Sequence, residues 1–232
     1  MRRYALIGYP IAGSQSPALF ASAGIPGSYE LFENPDFEAA WEAFLRDYDA
    51  VNVTAPFKEK AFSRADILSP RALRCGAVNL LRKGSDGKVR GFNTDVDGVL
   101  YALSGIPASG EALVVGNGGA ARAAVVALQE KGMEVALAGR NPLKVEAVAA
   151  SLGCRGISLA DATGMHPSLV VYTLPPEAPV PVSLPFADAV VLEAEYRKPS
   201  LRDIPCRKYI SGLEWLKGQS LTGFSLFSCR LG

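Results

Sequence analysis

Short apolar runs alternate with amphipathic stretches along the whole chain, and this alternation constrains the fold more than any other feature. The apolar runs have the length of strands, and a stretch such as Phe37–Arg46 repeats its apolar residues at helical spacing. A helix between two consecutive strands brings those strands side by side in a parallel sheet. The sequence therefore predicts an α/β protein.

A segment rich in Gly, Ser and Pro, residues 104–110, divides the chain into two such series. A length of 232 residues fits one large domain or two small ones. We predict a first α/β domain with a mainly parallel sheet over residues 1–98, completed by a C-terminal helix over 213–232. We predict a second α/β domain over 99–212.

The individual elements follow from the same pattern. The predicted strands are Tyr4–Gly8, Ser28–Phe32, Ala50–Thr54, Gly76–Arg82, Lys88–Phe92, Ala112–Val115, Glu134–Ala138, Leu169–Tyr172 and Ala189–Leu192. The predicted helices are Pro17–Ala23, Phe37–Arg46, one that begins at Pro56, Val96–Leu103, Ala120–Lys131, Leu143–Leu152 and Leu213–Phe227.

Composition excludes several classes of function. The formal net charge is +1 and no long Lys/Arg run occurs, which argues against nucleic acid or an anionic membrane as the main partner. No window is apolar over the ~18 residues that a bilayer requires. Cys75, Cys154, Cys206 and Cys229 are scattered and His166 is the sole histidine, which disfavours a metal site, disulfides and a Ser-His mechanism. We expect a cytoplasmic protein, monomeric or homodimeric.

A glycine-rich turn follows the predicted strand Ala112–Val115 and opens a predicted helix. It is Gly116-Asn117-Gly118-Gly119-Ala120-Ala121. The first glycine permits a tight turn, the next lets backbone N–H groups approach a pyrophosphate, and small Ala121 allows helix and strand to pack closely. The strand before it and the helix after it favour a dinucleotide site of the Rossmann type over a plain structural turn.

The end of the next strand indicates which dinucleotide is bound. An NAD site needs a carboxylate there for the ribose, whereas this chain has Arg140 and Asn141, with Lys144 one turn on. Glu134 stands at the start of the strand, too early to reach the ribose. Two cations and no acid favour the additional phosphate of NADP, and charges that merely flank a helix are the alternative.

Four strings at residues 8–17, 52–58, 76–79 and 93–98 lie at predicted strand ends or helix starts, where open α/β sheets bind ligands. Ser16 is predicted to cap a helix that opens at Pro17, and Ser14 and Ser16 are candidate donors to a substrate carboxylate. Lys58, one turn into the helix from Pro56, is a candidate general acid or base, and Asp95 is a candidate partner that orients it. Simple caps and a solvated lysine are the alternatives.

Taken in order, these strings resemble the shikimate dehydrogenase family, whose members reduce 3-dehydroshikimate to shikimate with NADPH. The resemblance continues in residues 196–199 and 212–219 and spans essentially the whole chain. It implies an N-terminal substrate-binding domain, a C-terminal Rossmann-type NADP-binding domain, a cleft between them and a role in aromatic amino-acid biosynthesis.

The resemblance also implies a role for individual residues. Lys58 and Asp95 would form the catalytic pair, and no metal is needed. Substrate contacts are implied for Ser14, Ser16, Thr54, Asn79, Tyr196 and Gln219. Contacts with NADP are implied for Gly116, Asn117, Gly118, Gly119, Ala120, Ala121, Arg140, Asn141, Lys144 and Gly212.

The chain departs from the family pattern at several positions. They are Gly13 for His, Leu80 for Thr, Gly139 for Asn, Tyr172 for Asn, Glu193 for Asp and Trp215 for Met. The proposed catalytic pair survives, so we expect the activity to be retained. A related enzyme acting on a substrate such as quinate, and a non-catalytic NADP-binding or regulatory module, are the alternatives.

Overall fold

The computed structural model describes residues 1–181 and 183–228 and falls into two compact units. The first unit comprises Met1–Thr94 and Gln219–Gly232, and the second comprises Asp95–Gly218. The chain therefore leaves the first unit once and returns to it at its end. Cys229 and the last four residues of the predicted C-terminal helix lie outside the described residues.

A six-stranded mixed sheet forms the centre of the first unit. Its elements are β1 (Arg3–Gly8), α1 (Ser16–Ser22), β2 (Ser28–Glu33), α2 (Phe37–Asp47), β3 (Ala50–Val53), α3 (Lys58–Arg64), β4 (Ile67–Leu68), α4 (Pro70–Cys75), β5 (Leu80–Lys83) and β6 (Val89–Phe92). The strand order is β2-β1-β3-β5-β6-β4. Strand β1 runs parallel to β2 and β3, while β5 runs antiparallel to β3 and β6.

The second unit contains a parallel sheet. Its elements are α5 (Asp95–Ala102), β7 (Glu111–Val115), α6 (Gly119–Glu130), β8 (Glu134–Gly139), α7 (Pro142–Leu152), β9 (Arg155–Ser158), α8 (Leu159–Ala162), β10 (Leu169–Tyr172), β11 (Val190–Glu193), β12 (Lys208–Ser211) and α9 (Gly212–Ser228). The order β12-β11-β10-β7-β8-β9 is that of a Rossmann sheet, in which the chain starts at the centre and builds outwards in both directions. The predicted α/β class is confirmed.

Apolar layers cover both faces of the first sheet. On one face, Phe37, Trp41 and Phe44 of α2 pack on the strands. On the other face, aromatic side chains of α1 and of the last part of α9, Phe20 and Phe227 among them, surround Tyr4 of β1. Helix α9 begins in the second unit and supplies one layer of the first.

Three local predictions about helix and strand starts are wrong. Gln15, rather than Ser16, is the N-cap of α1, and Ser16 is its first residue. Helix α3 begins at Lys58 instead of at Pro56, so that Lys58 is the first helical residue. The strand predicted from Gly76 begins at Leu80, because residues 76–79 form the connection that leaves α4.

Candidate active site

Two serine hydroxyls meet at the loop that follows β1. Ser14 Oγ donates to Ser16 Oγ over 3.2 Å, and the backbone N–H of Ser16 donates to Ser14 Oγ over 3.3 Å. Ser16 is buried and Ser14 is half-buried. The structure thus brings the two predicted carboxylate-binding hydroxyls together, although neither caps α1 through its side chain.

A carboxylate that the sequence analysis missed holds this loop in place. Glu33, the last residue of β2, accepts through Oε2 from the N–H groups of Ile11 and Ala12, each over 2.7 Å. Backbone N–H groups bound to an ionised carboxylate make strong hydrogen bonds. Glu33 therefore fixes the loop that carries Ser14, and its sequence position in a polar edge strand gives no sign of this role.

A buried polar cluster joins three residues that are far apart in sequence. Asn79 Nδ2 donates to Thr94 Oγ1 over 3.1 Å and to Gln219 Oε1 over 3.0 Å. Asn79 Oδ1 accepts from the N–H of Thr94 over 2.7 Å. Asn79 and Thr94 are each 2% exposed. Buried polar groups are stable when they form hydrogen bonds with one another. These hydrogen bonds also fix the orientation of the Asn79 and Gln219 amides. The sequence analysis did not assign Thr94 a role.

Backbone hydrogen bonds bring Thr54, Lys58 and Asn79 to the carboxyl end of β3. The N–H of Phe57 donates to the carbonyl of Thr54 over 3.0 Å, and the N–H of Val78 donates to the carbonyl of Lys58 over 2.9 Å. The carbonyl of Asn79 accepts from Val53 of β3 over 2.7 Å. The predicted proton donor and two predicted substrate-binding side chains therefore belong to one rigid corner of the first unit.

Asp95, the predicted partner of Lys58, is the first residue of α5 and belongs to the second unit. It is 4% exposed.

The glycine-rich turn in the second unit has two glycines with different requirements. Gly116 has a φ of +124°, and a Cβ there would collide with Thr173 Oγ1, which itself donates to the carbonyl of Val115. Gly118 has an extended backbone and is the N-cap of α6, and a Cβ there would meet nothing within 4 Å. Gly116 is therefore required by the fold, whereas the space beside Gly118 is open.

These features fit the pyrophosphate of a dinucleotide. The N-cap of the 12-residue helix α6 is Gly118, which has no side chain to bond the first N–H groups of the helix, and the space beside it is open. Asn117, Gly119 and Ala120 complete the turn, and Ala121 is fully buried where α6 packs on the sheet. The predicted pyrophosphate-binding residues therefore share one turn at the carboxyl edge of β7.

The predicted adenosine-phosphate residues lie at the neighbouring strand end. Arg140, Asn141 and Lys144 are exposed after β8, and Asn141 caps α7 by accepting from the N–H of Lys144 over 3.1 Å. A Cβ at position 139 would lie 3.0 Å from a methyl group of Val145, so a larger residue there requires a small shift of that side chain. Glu134 begins β8 at the opposite edge, as the sequence analysis assumed.

The loop after β11 carries Tyr196 and is held by two carboxylates, Glu193 and Glu195. Gly212 is the first residue of α9, and a Cβ there would lie 2.7 Å from the carbonyl oxygen of Glu193 and closer still to that of Ala194. The need for glycine at 212 is therefore explained by the approach of α9 to the end of β11.

The chain is similar to one protein family and to proteins of known structure. Residues 6–81 match the family model described as the shikimate dehydrogenase substrate binding domain. A Thermus thermophilus protein named shikimate dehydrogenase (NADP(+)) is 37% identical, over 98% of this chain and 93% of that protein. A Halobacterium salinarum protein of the same name is 39% identical, over 83% of this chain and 79% of that protein.

The solved structures agree with these relatives. The crystal structure of shikimate 5-dehydrogenase from Thermus thermophilus in complex with NADP(H) and shikimate has a TM-score of 0.83 and 34% identity. The match covers 98% of this chain and 94% of that one. The chain belongs to the shikimate dehydrogenase family. The predicted family and two-domain fold are confirmed, and the predicted NADP-dependent oxidoreductase activity agrees with the names of these relatives.

Two residues that depart from the shikimate dehydrogenase pattern, Tyr172 and Trp215, are buried in the structure. Tyr172, at the end of β10, is 1% exposed, and its hydroxyl has no hydrogen-bond partner among the described residues. Burial, and after it the charge of Glu193, raises the pKa of Tyr172, so the hydroxyl stays neutral. Trp215 is buried and packs against Gly98. A Cβ added at Gly98 would lie 2.5 Å from the carbonyl oxygen of Trp215 and 3.0 Å from its indole nitrogen. The glycine of the family string at 93–98 is thus a packing position.

Some classes of site are absent from the described parts of this shikimate dehydrogenase relative. Within residues 1–181 and 183–228, no group of three or more His, Cys, Asp and Glu side chains could hold a metal ion. Among the helices in those ranges, none has the length and apolar character needed to cross a bilayer. Cys75, Cys154 and Cys206 carry thiols rather than disulfides.

Proposed function

We propose that the chain catalyses the reversible, NADPH-dependent reduction of 3-dehydroshikimate to shikimate, a step of chorismate and aromatic amino-acid biosynthesis. The observation that carries the proposal is the polar cluster in which Asn79 and Thr94 are buried and Gln219 is half-buried. It lies in the unit whose residues 6–81 match the substrate-binding-domain model, and its hydrogen bonds fix the orientation of the Asn79 and Gln219 amides, to which we assign the hydroxyls of a polyhydroxylated ring.

The first unit is assigned the substrate. Ser14 and Ser16, whose hydroxyl oxygens are 3.2 Å apart, bind the carboxylate, because two adjacent O–H donors match its two oxygens. Thr54, Asn79 and Gln219 bind the ring hydroxyls, and Tyr196 from the second unit completes the set. These roles follow the family motifs, and the hydrogen bonds between Ser14 and Ser16 and between Asn79 and Gln219 support them.

The second unit is assigned NADP, which when bound supplies the hydride that goes to the ketone carbon. Backbone N–H groups of the turn from Gly116 to Ala121 hold the pyrophosphate at the N-terminus of α6. The guanidinium of Arg140 and the ammonium of Lys144 neutralise the additional phosphate, and Asn141 lies between them. Gly212 would lie near the nicotinamide, as the family motif implies.

We assign the proton transfer to Lys58 and Asp95. As the ketone carbon accepts the hydride, the π electrons of the C=O bond move to oxygen, and the Lys58 ammonium gives that oxygen its proton. Asp95 accepts a hydrogen bond from Lys58 and keeps it aligned. In the reverse direction, neutral Lys58 takes the proton of the hydroxyl.

We place the enzyme in the cytoplasm as a monomer or homodimer that binds no nucleic acid. The net charge of +1 supports the last point, since a nucleic-acid groove requires a basic surface. The cysteine thiols suit a reducing compartment.

The direct test is the nicotinamide absorbance of purified protein mixed with NADP and shikimate, with quinate and NAD as alternative substrates. We expect turnover with NADP and shikimate, and a loss of about 10²–10⁴ in kcat for Lys58→Ala with unchanged NADP affinity. Lys60→Ala is the matched control, because Lys60 is an exposed lysine in the same helix, and it should retain full activity. Turnover of quinate alone would indicate the related dehydrogenase, and NADP binding without turnover would indicate a binding module.

A further inference from the structure

Glu193, the last residue of β11, is a buried carboxylate to which no role has been assigned. Glu193 is 1% exposed, and three donors satisfy it. Its Oε1 accepts from the N–H of Ser200 over 2.6 Å, and its Oε2 accepts from the N–H of Leu201 over 3.2 Å and from the hydroxyl of Tyr209 over 2.8 Å. A buried charge is costly unless it is hydrogen-bonded in this way.

The hydrogen bonds of Glu193 join the two ends of the loop of residues 194–201. Glu193 stands immediately before the loop of residues 194–201, and the two N–H groups that it binds belong to the last two residues of that loop. Tyr209 lies on β12 beside β11 and ties the same carboxylate to the sheet. Burial, and after it the hydrogen bond to Glu193, raises the pKa of Tyr209, which keeps the phenol protonated as a donor.

A second carboxylate orders the interior of the same loop. Glu195 Oε1 accepts from the N–H of Arg197 over 2.6 Å and from the N–H of Lys198 over 3.2 Å. Tyr196 lies between Glu195 and Arg197. The backbone on either side of Tyr196 is thus fixed by Glu195, and the loop as a whole is fixed to the sheet by Glu193.

We propose that Glu193 is a positioning residue, which clamps the 194–201 loop to the sheet and thereby holds Tyr196 where it contacts the substrate. The proposal rests on the function proposed above for Tyr196. The clamp itself is independent of that function, since it consists of hydrogen bonds within the second unit. Glu193 does not touch substrate, and its effect reaches the substrate through the loop.

The substitution Glu193→Gln tests the clamp because it preserves shape and removes the charge. A glutamine offers one acceptor oxygen, so its NH₂ group faces a backbone N–H that loses its partner. Glu193→Asp keeps the charge and both acceptors on a side chain shorter by one methylene. Glu177→Gln is the matched control, because Glu177 is a carboxylate in a loop of the same unit for which the structure shows no comparable backbone clamp among the described residues.

The first measurement is amide hydrogen exchange of the whole protein, resolved for residues 194–201. We expect faster exchange at Ser200 and Leu201 in Glu193→Gln, intermediate exchange in Glu193→Asp, and no change in Glu177→Gln. Unchanged protection of the loop in Glu193→Gln would overturn the clamp. If Glu193→Gln does not fold, Glu193→Asp carries the same comparison.

The second measurement separates positioning from general packing. We expect Glu193→Gln to raise KM for shikimate about tenfold, the factor that corresponds to one lost hydrogen bond to a charged group, with KM for NADP unchanged. In a Tyr196→Phe background, the same substitution should have little further effect on KM for shikimate, because the group that the loop positions is already gone. Multiplicative effects of the two substitutions would refute the positioning role. A wild-type chain without shikimate turnover would refute the proposed function, and the exchange experiment would still decide the clamp.

Discussion

Gly116 and Gly118 both lie in the glycine-rich turn, and we expect substitution by alanine to affect them in opposite ways. Gly116 has a φ of +124°, and a Cβ there collides with Thr173 Oγ1, which must then give up its bond to the Val115 carbonyl. Strain of this kind costs roughly 1–3 kcal/mol, and overpacking adds about as much. Gly118 has φ −89° and ψ −172°, which alanine adopts freely, and a Cβ there meets nothing within 4 Å.

The expected magnitudes follow from this contrast. Gly116→Ala should lose about 3 kcal/mol of stability without nucleotide, which lowers Tm by roughly 6–12 °C for a chain of this size. Gly118→Ala should keep its Tm or raise it slightly, because alanine restricts the unfolded chain. Its Cβ nevertheless fills the open space beside Gly118, through which, in the proposed site, the pyrophosphate would reach the N–H groups of α6. Losing one hydrogen bond to a charged group weakens NADP binding by about 10- to 100-fold.

Thermal unfolding without nucleotide and calorimetric titration with NADP measure the two effects separately. Gly105→Ala serves as the control, since a Cβ at Gly105 also meets nothing within 4 Å and the residue lies outside the turn. Like Gly118→Ala, it should keep its Tm or raise it slightly, and it should leave NADP affinity unchanged. A loss of Tm in Gly118→Ala comparable with that of Gly116→Ala would refute the argument from open space. Wild-type NADP affinity in Gly118→Ala would refute the assignment of the pyrophosphate to this turn.

Three further perturbations test other parts of the molecule. Asn79→Leu should lower the free energy of unfolding by about 2–3 kcal/mol in urea titrations, because it leaves the buried N–H of Thr94 without its acceptor; an unchanged midpoint would contradict this. The double variant Arg140→Glu/Lys144→Ala should lower the ratio of NADP to NAD affinity at least about tenfold in parallel titrations, and an unchanged ratio would remove these cations from the phosphate site. Burial and, after it, a hydrogen bond to a carboxylate raise the pKa of Tyr48 to about 12. Between about pH 10 and this value the folded chain keeps a proton that the unfolded chain loses, so stability falls as pH rises. When the pH is raised from about 9 to about 11, the Tm of Tyr48→Phe should therefore fall by less than the Tm of the wild type. Equal falls in Tm would contradict the raised pKa of Tyr48.

The strand and helix that flank the glycine-rich turn at residues 116–121 were predictable because their sequence signals are local. Strand β7 is buried on both faces and therefore appears as a continuous apolar run, and glycines mark its end. The predicted strand Ala112–Val115 and helix Ala120–Lys131 each lie within one residue of the observed Glu111–Val115 and Gly119–Glu130. In such a segment, tertiary contacts and local pattern favour the same structure.

The parts that escaped prediction depend on distant contacts or on very short elements. Asn79 and Gln219 are 140 positions apart, and nothing local in either string indicates that their amides meet. Strand β4 has two residues and β12 has four, too few for a periodicity to emerge. A carboxylate that binds backbone N–H groups, as Glu33 and Glu193 do, has the same local sequence signature as a solvated one.

The return of α9 to the first unit has a consequence for how the protein is made. Phe224 and Phe227 complete the aromatic layer around Tyr4, and Gln219 satisfies Asn79, yet all three are synthesised after the entire second unit. The residues of the Rossmann sheet are contiguous in sequence, so this sheet can form during synthesis, whereas one face of the N-terminal sheet is covered only by α1 until α9 has been synthesised. The half of the protein that is synthesised first is thus the last to complete its native packing.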